Sequence, residues 1–147
     1  MRIDDRAEPL VRAAIHAAVK QDFGKLDQSL RAFTDDDLAR RGVELTLAVT
    51  LFVLQDIHSG RPDSAAIREI ASEVAEDEAW SKVSAEEVNT FLSRLVAGEA
   101  MADVFSAEEI VVLAYVCAGH LLSSNRQDSE KWWNYLDRAE ATIEAVG

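Results

Sequence analysis

Apolar residues along the chain recur mostly at three- and four-residue spacing, the period of helices with one buried face, and this predicts an all-α protein. Val11, Ile15 and Val19 line a first helix. Pro9 suits its opening turn, where a missing N–H has no intrahelical partner to lose. That helix is expected to end near Asp22 to Gly24, and a shorter one follows on Leu26, Leu30 and Phe33. Thr34 is the expected cap of a third helix, whose first turn carries Asp35, Asp36 and Asp37 at the positive end of the helix dipole. Asp36 with Arg40, and Asp37 with Arg41, are the expected supporting pairs along its surface.

Two periods compete between Val43 and Ile57. Val43, Leu45, Leu47, Val49, Leu51 and Val53 alternate as a strand would, yet Ala48 and Phe52 fill the gaps and the run continues a capped helical start. We read a central helix there, closed by Gly60 and Pro62. A fourth helix, capped by Asp63 or Ser64, buries Ile67, Ile70, Ala71 and Val74, and its pattern breaks past Glu78.

The segments Val83-Ser84-Ala85-Glu86-Glu87-Val88 and Phe105-Ser106-Ala107-Glu108-Glu109-Ile110 share one design. In each, the serine can accept from a backbone N–H three residues on, the glutamate there can reach back, and flanking apolar residues can staple the entry. The fifth helix so started runs to about Val96. The sixth is apolar almost all round from Ile110 to Leu122 and is read as fully buried. After a polar loop, Trp132, Leu136, Ala139, Ile143 and Val146 mark an amphipathic last helix. The expectation is a single helical domain over residues 1–147, a bundle of about seven helices around two central ones, Val43–Ile57 and Ile110–Leu122.

Charge adds what the pattern lacks. The formal net charge is −12, which disfavours direct binding to nucleic acid or anionic lipid, since both depend on Lys and Arg. Residues 63–87 hold eight acids (Asp63, Glu69, Glu73, Glu76, Asp77, Glu78, Glu86, Glu87) against Arg68 and Lys82, half of that excess. Glu69, Glu73 and Asp77 repeat every fourth residue, so one helix face carries like charges that repel by a few tenths of a kcal/mol per pair. A solvated face that keeps the protein soluble is the plain reading. A docking surface for a basic protein partner is the functional one, with Glu69, Glu73, Glu76, Asp77 and Glu86 as the charges and Trp80 as an aromatic anchor.

Other candidates are weaker. Trp133 lies roughly 100° around the last helix from the buried stripe, and with Tyr135 on the opposite flank it offers a second contact or a homodimer seam. Asp56, His58 and Arg61 gather at a turn as a possible polar site, with helix capping as the simpler account. His120 is expected to be a satisfied buried or partly buried imidazole, and the single cysteine, Cys117, a small core residue of a protein kept in a reducing, cytoplasmic compartment.

The charged start of the chain does not read as a signal peptide, and the most apolar run falls short of the roughly 20 residues a bilayer needs, so no membrane partner is expected. No metal or cofactor is expected either, because the chain carries no HExxH, paired cysteines, GxSxG, phosphate loop or dinucleotide fingerprint. Arginine outnumbers lysine eleven to four and alanine is abundant, a composition of GC-rich bacterial or phage genomes.

The leading expectation is thus a non-catalytic acidic protein that masks a basic surface, the logic shared by immunity proteins, antitoxins and nucleic-acid-mimicking inhibitors. The competing expectations are a helical-bundle enzyme or small-ligand binder with an internal pocket at His58 or His120, and a homodimeric scaffold built on the last helix.

Overall fold

The computed structural model describes residues 1–146, and every regular element in it is helical. The α-helices are α1 (Ala7–Val19), α2 (Phe23–Arg31), α3 (Asp36–His58), α4 (Ser64–Asp77), α5 (Ala85–Ala97), α6 (Ala107–Ser124) and α7 (Trp132–Val146), with short 3-10 turns at Ala79–Ser81 and Met101–Asp103.

Side-chain caps set most of the starts. Asp22, Asp35 and Asp63 each accept from a backbone N–H three residues on, and Ser84 and Ser106 form full capping boxes with Glu87 and Glu109. The third helix therefore begins one residue later than the sequence suggested: Asp35 rather than Thr34 is its cap, because a carboxylate accepts more strongly there than a hydroxyl. The expected Asp36–Arg40 pair is replaced, since Arg40 bonds Asp37 and Glu44 while Arg41 bonds Asp37 and Asp4. Strand-like alternation over Val43 to Val53 does not produce a strand. The stretch lies inside the 23 residues of α3, where Leu45, Val49 and Val53 form the buried stripe.

Helix α6 is the axis of the bundle. Its residues from Leu113 to Leu122 are all buried, and α1, α3, α5 and α7 surround it. By length and composition α6 alone among the described helices compares with a membrane span, and here it is a core helix. Gly119 lets α1 approach closely, because a Cβ at that position would stand 3.0 Å from the Ala18 Cβ. Thr46 and Thr50, both buried on α3, return their hydroxyls to carbonyls one turn earlier at 2.8 Å, so the core carries no cost from them. The α4–α5 hairpin joins the bundle mainly through α5, and α2 rests mainly on α1.

Candidate functional site

The buried stripe Ile67, Ile70, Ala71 and Val74 turns α4 towards α5 and leaves Arg68, Glu69, Ser72, Glu73, Glu76 and Asp77 exposed. Many acids elsewhere are matched with bases: Asp4, Glu8, Asp37, Glu44, Asp56, Glu99, Asp103, Glu130, Asp137 and Glu140 all pair with arginines, while Asp5, Asp36, Glu108, Asp128 and Glu144 do not. Among the described residues none of Glu69, Glu73, Glu76, Asp77 and Glu86 has such a partner. Glu69 and Glu73 also edge a shallow depression of about 280 Å³ with Ile57, His58, Ile70 and Asn125, of a size to receive a cationic side chain.

Where α4 stops, the chain turns one carboxylate inward. Glu78 is 6% exposed, and its Oε2 lies 3.0 Å from Nδ1 of His120, itself 4% exposed, so the imidazole donates at Nδ1. Its Oε1 accepts from Trp80 Nε1 at 2.9 Å and Gln21 Nε2 at 3.4 Å, and its carbonyl accepts from Ser81 Oγ at 2.6 Å. Burial alone would raise the pKa of Glu78. The donors from His120, Trp80 and Gln21 outweigh it and hold the carboxyl below its ordinary value.

A histidine against a carboxylate is half of a nucleophile-activating arrangement, but its neighbour on α6 is unsuited to the other half. Cys117 is fully buried, and burial followed by the charge of Glu78 pushes its thiol up to about 12. The group works as a node that ties the Ala79–Ser81 turn to α6 and, through Gln21, to the α1–α2 turn.

The node changes the part open to Trp80. Its indole N–H is engaged by Glu78, its ring meets Phe23 edge-on at 6.2 Å, and it is half-buried. Trp133 is 44% exposed, in keeping with its place around the helix. Tyr135 is not a surface contact: it is fully buried, its hydroxyl donates to Asp56 at 2.6 Å, and Arg138 stacks on its ring at 4.2 Å. Burial and the Asp56 carboxylate both push the Tyr135 pKa up. Asp56, His58 and Arg61 do not converge. Asp56 faces Tyr135 and Arg138, while Nδ1 of His58 caps its own helix at the Leu54 carbonyl, 2.8 Å away.

Two features escaped sequence reasoning because each joins distant segments. One is a cluster between α1 and α7, in which Arg12 faces Glu8, Asp137 and Glu140. Oε2 of Glu140 is buried there without a hydrogen-bond partner, and burial, then the Glu8 charge, pushes that carboxyl up to about 8. The other is an open apolar groove of about 510 Å³ between α2 on one side and α3 and α6 on the other, walled by Phe23, Leu30, Phe33, Val43, Val111 and Val112. In sequence its residues read as ordinary core stripes, and nothing local shows that α2 stands away from the helices it faces.

Comparison with known proteins adds no name to this geometry: no protein-family model, no curated protein and no solved structure matches the chain.

Proposed function

We propose that this protein is a non-catalytic binding protein whose α4 face, continued by Glu86 at the start of α5, receives a basic surface of another protein. The observation that supports the reading is the concentration of unmatched charge: Glu69, Glu73, Glu76, Asp77 and Glu86 stand exposed without bases on α4 and the start of α5, while many acids elsewhere pair with arginines and those that do not, such as Asp5, Asp36, Glu108, Asp128 and Glu144, are spread along the chain. Carboxylates repelling one another along one helix cost stability, and a cationic partner reverses that cost on binding. Such a face steers association over roughly a Debye length, about 8 Å at physiological salt, and loses strength as salt rises. A partner that uses Lys and Arg to hold nucleic acid would be blocked by it. Trp80 adds a half-buried aromatic edge beside the acids, already fixed by Glu78 and Phe23, so it contributes shape without an ordering cost.

The test is capture from the lysate of the native host at low and high salt, with the bound protein identified, purified and titrated against wild type and a Glu69→Lys, Glu73→Lys, Asp77→Lys variant. The expected result is a basic protein whose affinity falls at least about tenfold with the charge reversal and with added salt. Equal affinity of the two forms for the captured protein would refute the proposal, as would a partner whose binding ignores salt.

A further inference from the structure

The groove between α2 and the α3–α6 pair is an open surface with mostly apolar walls, and we infer that it is a docking site for an amphipathic helix with a cationic flank, supplied by a partner protein. Half-buried Leu30, Phe33, Val43, Val111 and Val112 face into it, and Phe23, 48% exposed, stands at its edge. Helix α2 holds its place by resting on α1, not by closing on α3 and α6, so the groove is a feature of the packing and not a frayed end.

Three observations decide what occupies it. The walls are helices, which offer no ladder of backbone groups for an extended chain to pair with, and no described residue forms a strand edge. An extended peptide laid there would bury N–H and C=O groups against apolar side chains with no partner, whereas a helix brings its own satisfied backbone. The only charged residues lining the groove are Asp27 and Glu108. Arg31 at 3.0 Å partly answers Asp27, while Glu108 has no basic partner within 4 Å, so the flank of the incoming helix carries Lys or Arg. The nine residues of α2 span about 14 Å, which sets the occupant at two to three turns with apolar anchors at three- and four-residue spacing.

The groove also lies beside the acidic face. Phe23 meets Trp80, and Gln21 donates to the Asp77 carbonyl at 3.0 Å, so the α1–α2 turn bridges the two surfaces. The inference shares with the proposed function the view that this protein docks a basic partner, but it assigns a different site and a different partner element.

The probe is a synthetic peptide of about 14 residues with leucines at helical spacing on one face and lysines on both flanks, compared with a scrambled peptide of the same composition and with the version carrying glutamate for lysine. Binding is read by fluorescence anisotropy and by methyl NMR shifts, with sedimentation of the protein alone as a control. The amphipathic cationic peptide should bind at least about tenfold tighter than the scramble and shift Leu30, Val43, Val111 and Val112. Glu108→Lys, on the exposed rim, should weaken it several-fold, Val112→Glu should abolish it, and the α4 triple reversal should leave it within about threefold.

Equal binding of the scramble, shifts confined to α4, no binding to wild type, or self-association through the groove would each overturn the inference. Because the natural partner and the peptide are titrated against both sets of variants, the two readings can fail separately: loss with the α4 reversal alone removes the groove, and loss with Glu108→Lys alone removes the acidic face.

Discussion

Glu140→Gln tests whether the α1–α7 seam holds a proton. Arg12 bonds Glu8 at 3.1 Å, Asp137 at 2.7 Å and Glu140 at 3.2 Å, which leaves one guanidinium facing three carboxyl groups. The Met1 ammonium lies one turn away on the Ile143 carbonyl, His16 stacks on Trp132 along the same seam, and the charges of α3 are engaged elsewhere, Arg41 with Asp4 and Asp56 with Arg138. Glu140 is pushed up from its ordinary 4.5 to about 8, so between those values the folded chain holds a proton that the unfolded chain has released. Stability from this group is therefore complete below pH 4.5 and lost as pH rises through about 8.

At about 1.36 kcal/mol per unit the ceiling is near 5 kcal/mol. Asp137 on the rim is 58% exposed, so water screens the cluster and about 2 kcal/mol is the working figure. Glutamine keeps the shape of the protonated acid. The variant should match wild type in urea unfolding at pH 4 and exceed it by about 2 kcal/mol at pH 9, a gain of roughly 4–8 °C in midpoint temperature. Because the remaining titrating groups are common to both proteins, parallel stability curves from pH 4 to 9 would refute the reasoning.

Replacing His120 by Phe should cost about 2–4 kcal/mol in urea unfolding, because Glu78 is left buried with two donors instead of three. As the carboxyl of Glu78 is held low, its contribution is present at neutral pH and lost on acidification, and the variant should begin to acid-unfold at higher pH than wild type. Gly42→Ala drives a methyl to 2.5 Å from the Phe33 ring, so a loss of about 1–3 kcal/mol is expected, together with methyl NMR shifts in the groove as Phe33 moves aside. Cys117 should react with a disulfide reagent only at the rate of global opening measured by hydrogen exchange, and fast labelling of the native protein would contradict its burial.

Much of the fold was legible because its signals are local. The capping boxes at Ser84 and Ser106 and the stripe on α4 lie where the pattern put them, and Trp132 is buried as its place on the last helix required. His120 and Cys117 are core residues as expected, though the partner of His120 lies 42 residues away and no spacing rule points to it. The same limit hid the pairing of Arg12 with Glu140, 128 residues apart. Tyr135 misled for a different reason: helical geometry places it off the central stripe, but α7 packs against both α3 and α6, so two faces are covered. The groove was invisible because an apolar face gives the spacing of a helix and not the distance to its neighbour.

That distance has a lever far from the groove. Because Gly119 sets how closely α1 lies on α6, and α2 rests mainly on α1, one methyl at residue 119 is a shim beneath the whole α1–α2 arm. Residues that do not line the groove can thus set its width, so the dimensions of a surface opening can be fixed in the small-residue seam of the core.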